Sequence, residues 1–254
     1  MLSVTNLSFG YNEERALDDV SIQVPEGSLC ALYGPNGSGK STLMKCCLKL
    51  LSGYTGDIRI SGKDVKTLSV SDLSKIATYI SQTRTQTFPF TVFDIVLMGR
   101  NPHIDSNFGP STKDEKATDA VLKNRELENY RDRIFTELST GEQQLVILAR
   151  ALNQETPLLL FDEPGSALDY HNQLRIWNDL KELTRSGKTV VVTTHDPNHV
   201  LWFCTHAIIL KKTVIDFGTP SEVISEKNLT KLYGPVSTVR KIDGRDIVIP
   251  KNIF

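Results

Sequence analysis

Residues 34–42 read GPNGSGKST and follow the apolar run LCALY at 29–33. The nine fit the spacing G-x-x-x-x-G-K-[ST] at Gly34, Gly39, Lys40 and Ser41. Such a loop has a chemical purpose. Its glycines let successive backbone N–H groups turn inward around a β-phosphate, and the following helix adds its positive N-terminal end. In that reading Lys40 reaches the β- and γ-phosphates as a mobile cation and the Ser41 hydroxyl coordinates Mg²⁺. Gly34, Pro35, Asn36, Gly37, Ser38, Gly39, Lys40, Ser41 and Thr42 are therefore the first candidate binding residues.

Around this loop the sequence alternates short strands with turns. Strands are expected at 2–9, 16–24, 28–33 and 57–60. Apolar residues at 43, 44, 47, 48 and 51 predict a helix from Lys40 to Leu51. Strand, Gly-rich turn and helix in that order open an α/β fold. From Thr91 to about Asn153 the pattern is helical, with capping-box spacings at Thr91/Asp94 and Thr112/Glu115. Strand-like segments return at 157–162, 189–194 and 207–210, with a helix from His171 to Arg185 between the first two. Residues 237–249 read as a hairpin turning at Asp243-Gly244, and Lys211-Lys212 as another turn.

The segment LLLFDE at 158–163 ends an apolar strand in two carboxylates. If that strand neighbours the one before the phosphate loop, Asp162 can hold Mg²⁺ through water. Glu163 can then polarise an attacking water as general base.

Composition narrows the alternatives. The 254 residues are 39% hydrophobic and 23% charged, which fits an ordinary globular chain and excludes disordered, collagen-like and disulfide-dense classes. Lysine and arginine number 29 against 30 acids, so no basic footprint points to nucleic acid. No apolar run approaches the roughly 20 residues of a membrane span, and MLSVTNLSFGYNEE has neither region of a signal peptide. Cys30, Cys46, Cys47 and Cys204 sit in apolar contexts, as buried thiols do. His171, His199 and His206 have no metal-ligand spacing and read as structural. A cytoplasmic location is expected.

In order, the chain carries Tyr11, GPNGSGKST, Gln82, LSTGEQQ at 138–144, LLLFDEP at 158–164, SALD at 166–169 and His195. That series resembles the nucleotide-binding subunit of ATP-binding cassette (ABC) transporters over almost the whole length. The resemblance implies a RecA-like P-loop NTPase core with a mainly parallel sheet, an N-terminal antiparallel β subdomain and an inserted α-helical subdomain. It implies a single domain over 1–254, with motifs within 2–235, a helical subdomain over 84–153 and a short C-terminal hairpin extension over 236–254.

The resemblance also implies roles. Two copies would dimerise head to tail around two ATP molecules with Mg²⁺. Tyr11 would stack on adenine. Gln82 would touch the metal beside Ser41 and Asp162 and sense a membrane partner. Leu138, Ser139, Thr140, Gly141 and Glu142 form the signature segment, with Ser139 and the N–H groups near Gly141 meeting the γ-phosphate across the dimer. Asp169 would couple the two sites, and His195 would contact the γ-phosphate and position the water beside Glu163. Apolar residues at 145, 148, 149 and 152 agree, since they predict an amphipathic helix whose N-terminus can face an anion. The residues alone leave Tyr11 open as a turn aromatic, Gln82 as a solvated strand end and His195 as a buried structural histidine. The chain reads LSTGE where the family usually has LSGGQ, with Thr140 for a glycine. Gln143 stands for a frequent arginine, and Gly165 for a common threonine. These departures are expected to tune turnover.

TVFDIVLMGRNPHI at 91–104 resembles a pattern in ATPases serving importers of iron chelates, haem and cobalamin. Such a subunit, at the cytoplasmic face of the membrane, would drive two copies of a permease fed by an external substrate-binding protein. Phe88, Pro89 and Phe90 would offer the permease an apolar lip, or else fill the helical subdomain's own core. A molybdate or tungstate importer, an exporter and a soluble iron–sulfur assembly ATPase remain alternatives.

Overall fold

The computed structural model describes residues 1–81, 88–104, 109–165 and 168–251. Three sheets organise it. Strands β1 (Leu2–Tyr11), β2 (Glu14–Val24), β4 (Thr55–Ile60) and β5 (Lys63–Asp64) form an antiparallel sheet in the order β2-β1-β4-β5. The second sheet is built from β3 (Leu29–Tyr33), β6 (Ala77–Ile80), β7 (Leu158–Phe161), β8 (Thr189–Thr194), β9 (His206–Lys211) and β10 (Thr213–Gly218). Its order is β10-β9-β3-β8-β7-β6, parallel except for the β9–β10 pair. The third is the C-terminal hairpin, β11 (Ser237–Ile242) and β12 (Arg245–Pro250), turning at Asp243 and Gly244 as expected. Lys212 likewise sits in a turn, between β9 and β10.

The central strands are buried throughout, as a parallel sheet covered on both faces requires. One face packs on the antiparallel sheet and on α1 (Lys40–Cys47) through Leu32, Leu43, Met44, Leu160 and Val191. The other meets α5 (Thr140–Asn153) and α6 (Tyr170–Arg185) through Leu148, Ile176, Trp177 and Leu180. Beyond β3 and β9, α7 (Pro197–Phe203), α8 (Pro220–Val223) and α9 (Glu226–Tyr233) close the core. The short α2 (Val70–Ser74) leads into β6. Of the four cysteines, Cys30, Cys46 and Cys47 are buried and Cys204 half-buried, all as free thiols.

Between β6 and β7, α3 (Val92–Leu97), α4 (Thr112–Asn124) and the start of α5 enclose a separate core of Val92, Ile95, Val96, Leu122 and Val146. A buried polar network braces it. Arg100 donates to Asp114 Oδ1 at 3.2 Å and to the Asn153 carbonyl at 3.0 Å. The Asn153 amide donates to the Val96 carbonyl and the Thr118 hydroxyl. At Gly99 a Cβ would lie 2.2 Å from the Arg150 carbonyl, so only glycine permits the approach to α5. Much of the 91–104 pattern thus builds the subdomain's interior. Phe88 and Phe90, however, stand exposed with ring centroids 6.1 Å apart, so they do not fill that core.

Two local expectations shift. Helix α1 ends at Cys47 and not Leu51, because Lys49 adopts a left-handed conformation. The N–H of Leu50 then reaches the Lys45 carbonyl and that of Lys49 the Cys46 carbonyl, a Schellman closure. The second capping box is Ser111/Asp114 and not Thr112/Glu115. Both pairs have the required spacing, but only Asp114 also meets the buried Arg100.

Candidate functional site

The parallel strands β3, β8 and β7 end side by side, and each delivers a polar segment to the same edge of the sheet. The order corrects one premise: β8 lies between β3 and β7, so the two motif-bearing strands are not neighbours. Asp162 still reaches the phosphate loop, since Ser41 Oγ donates to Asp162 Oδ1 at 3.0 Å.

The loop's shape comes from its close approaches. A Cβ at Gly34 would meet the Leu210 carbonyl at 2.2 Å, and Gly39, at φ 98°, would press on Ala16 and Leu17. From this turn α1 begins at Lys40. The Lys40 ammonium donates to the Gly34 and Pro35 carbonyls at 2.8 and 3.0 Å and stands 4.0 Å from Glu163 Oε1. Burial lowers its pKa, opposed by the charges of Glu163 and Asp162. Ser38 Oγ is buried with no hydrogen-bond partner among the described residues.

A cleft of about 520 Å³ opens over the loop, lined by Tyr11, residues 36–42 and Glu163. Glu14, Arg15, Ala16 and Lys212 complete its wall, and no local signal in the sequence marked them. Lys212 holds the loop from outside: its N–H donates to the Ser38 carbonyl, and its own carbonyl accepts from Asp18. Tyr11 is half exposed, with its hydroxyl 3.5 Å from Thr42 Oγ1 and its ring edge-on to Phe9.

Two further residues join the carboxylates. Thr193 Oγ1, on the intervening β8, donates to Asp162 Oδ1 at 2.8 Å and accepts from the Glu163 N–H at 2.8 Å. Tyr79 on β6 donates to Asp162 Oδ2 at 2.9 Å. Sequence reasoning missed both, because each contact depends on which strands lie side by side. The Thr-Thr ending of the 189–194 run was the only local hint for Thr193.

His195 follows β8, with Nδ1 3.7 Å from Glu163 Oε1 and its side chain 58% exposed, which rules out the buried structural reading. Behind the pair lies a pocket of about 120 Å³ whose wall includes Trp177, Asp196 and His199. Trp177 is buried there, with the His199 ring at 5.1 Å and the Phe203 ring at 5.5 Å. His199 is buried against the Trp177 ring, and desolvation lowers its pKa.

The signature segment stands apart: none of Leu138, Ser139, Thr140, Gly141 and Glu142 lines the cleft. Ser139 caps α5 in a capping box, its N–H and hydroxyl both donating to Glu142 Oε2 at 2.7 Å. The Ser139 hydroxyl also holds the Glu142 carboxyl below its ordinary pKa. Gln143 donates to the Phe135 carbonyl at 3.2 Å. Asp169 caps α6 through Asn172, and a Cβ on Gly141 would touch that same asparagine at 3.1 Å. Gln82 lies outside the described residues.

Comparison with known proteins bears on the whole chain. A family model described as ABC transporter matches residues 17–166. The chain is 40% identical to a Helicobacter pylori ATP-binding protein named for iron chelatin transport, over 92% of each chain. It is 35% identical to the iron(3+)-hydroxamate import ATP-binding protein of Bacillus subtilis, over 91% of this chain and 87% of that one. Among solved structures it resembles a chain from an inward-facing ABC transporter of metal-chelate type. That match has a TM-score of 0.86 at 31% identity and covers 98% of this chain and 96% of the other.

Proposed function

The chain belongs to the ABC transporter family of ATP-binding proteins, and from that premise we propose that it is the ATP-hydrolysing motor subunit of an importer for an iron chelate. The assembly of Lys40, Ser41, Asp162, Glu163 and His195 at one edge of the parallel sheet carries the ATP-hydrolysing part of this reading, and the relatives named for iron chelatin transport and iron(3+)-hydroxamate import support the cargo. The whole of 1–254 acts as one nucleotide-binding unit, with the helical part at 84–153 inserted in it and the hairpin at 236–254 appended.

The backbone of the phosphate loop and the helical start at Lys40 receive the phosphates, and Lys40 neutralises them. The unpartnered Ser38 hydroxyl supports an oxygen-bearing ligand at this place. The site also fits Mg²⁺. The Ser41 hydroxyl and the Asp162 carboxylate lie 3.0 Å apart and supply the hard oxygens such an ion takes; Ser41 would hold it directly and Asp162 through water. When bound, the ion supplies charge neutralisation to the phosphates, with Gln82 as a further ligand. Tyr11 stacks on the base. Glu163 takes the proton of the attacking water, while His195 orients that water and the γ-phosphate.

Because the signature residues do not line the cleft, a second copy has to bring its own Ser139 and Gly141 to this γ-phosphate. The Asp169 cap beside Gly141 supports a link between the two sites. Two copies then act on two permease subunits at the cytoplasmic face, with Phe88 and Phe90 as an exposed apolar contact and an external binding protein supplying the chelate.

Affinity purification of tagged Glu163→Gln protein from detergent-solubilised source membranes with ATP tests the assignment. A stoichiometric polytopic permease, encoded beside a binding protein that retains a ferric chelate, is the expected result. Soluble partners alone would overturn it.

A further inference from the structure

Tyr79 lies on β6, paired with Leu160 of β7. Side chains alternate along a strand, so Leu160 and Asp162 share a face, about 6.6 Å apart along the chain. A tyrosine side chain spans that distance, and here its hydroxyl ends 2.9 Å from Asp162 Oδ2. The two carboxylate oxygens are thereby divided. Oδ1 faces the Ser41 hydroxyl and accepts from Thr193, while Oδ2 is engaged by Tyr79. An aspartate carboxylate turns about its Cβ–Cγ bond, and a hold on both oxygens keeps one of them aimed. Thr193 and Ser41 both approach from the Oδ1 side, so Tyr79 alone among these hydroxyls fixes the rotation from the other.

We infer that Tyr79 is a positioning residue for the nucleotide's divalent cation: it locks the Asp162 carboxylate so that Oδ1 faces Ser41, and thereby sets how much metal the site requires. One more observation supports a donor here. The flanking Thr78 turns the opposite way, to the Thr156 hydroxyl at 2.8 Å, so the phenol is the group that β6 directs at Asp162.

The inference rests on the Mg²⁺–ATP reading of the cleft, and the test separates the two. Full-length wild-type and Tyr79→Phe proteins are titrated with Mn²⁺ at fixed ATP. Bound metal is read by electron paramagnetic resonance, and ATP affinity is measured in parallel in excess chelator. The expected result is a half-saturating Mn²⁺ concentration about tenfold higher in Tyr79→Phe, the scale on which partners of a metal-binding group act. Metal-free ATP affinity should be unchanged. In an Asp162→Asn background the same substitution should add nothing, since the two residues act through one contact. Tyr79→His, which keeps a ring donor, should fall between wild type and phenylalanine and serves where the phenylalanine variant fails to fold. Equal Mn²⁺ requirements in wild type and variant would overturn the positioning role alone. A wild-type protein that binds ATP without regard to metal would overturn the reading of the cleft as well.

Discussion

The cleft above the phosphate loop and the start of α5 hold the two sets of residues expected to meet one nucleotide, and they are built in opposite ways. Around Asp162 three hydroxyls converge from α1, β6 and β8, and Lys40 is buried beside them. At α5 the polar groups are exposed, and Ser139 and Glu142 satisfy each other within a single turn. The first region is finished inside one chain. The second is a helix cap that can exchange its carboxylate partner for another anion at little structural cost, as helix N-termini do. The proposed chemistry is therefore assembled within the chain, whereas the residues proposed to complete it from a second copy are left at the surface.

Removing the carboxylate from the finished region should have the largest effect. Glu163→Gln should lower steady-state phosphate release about a thousandfold, within the range of general-base catalysis. It should retain ATP and run as a dimer in ATP-containing gel filtration. Unaltered hydrolysis would show that another group takes the proton.

A change at the surface cap should separate binding from turnover. Ser139→Ala should reduce hydrolysis about a hundredfold, as expected when one donor to a developing charge is lost. The dilute monomer's nucleotide affinity, read by equilibrium dialysis, should stay as it was. Equal loss of both would place the signature in the same cleft as Lys40 and erase the contrast.

The smallest effect concerns acid. The Ser111 hydroxyl and N–H, helped by Arg100, hold the Asp114 carboxyl down to about 2. Its contribution to folding is complete above its unfolded value of about 3.9 and drains away as pH falls toward 2. Helicity followed from pH 6 downward should therefore fall in that window. In Asp114→Asn the acid transition should flatten, with a midpoint displaced by about half a pH unit. An unchanged curve would show that this braced subdomain is not where acid acts.

Much of this was legible in order along the chain. Loop, carboxylates and histidine are local patterns, and the strand endings that present them follow from apolar runs stopped by polar residues. Thr193 and Tyr79 were not legible, because they matter through β8 lying between β3 and β7 and β6 lying on the outer edge. Spacing in sequence carries no information about lateral strand order. The end of α1 escaped for another reason: the periodicity of Leu48 and Leu51 continues past a turn made by Lys49, a residue seldom found in a left-handed C-terminal closure. Gly99 and Arg100 were read only as part of a family pattern, and their close helix contact and buried ion pair show an inward use.

Of the chain's two tryptophans, Trp177 shares a wall with Glu163 and His195 and is shielded by the His199 and Phe203 rings. Light emission from a shielded indole responds to the dipoles and protons that face it. The edge that bears Glu163 and His195 therefore carries its own optical gauge, in which movement of His195 or protonation of His199 alters the surroundings of one native fluorophore. Replacing Trp202 with phenylalanine would leave that gauge as the only indole signal, so each turnover could be watched without attaching a dye.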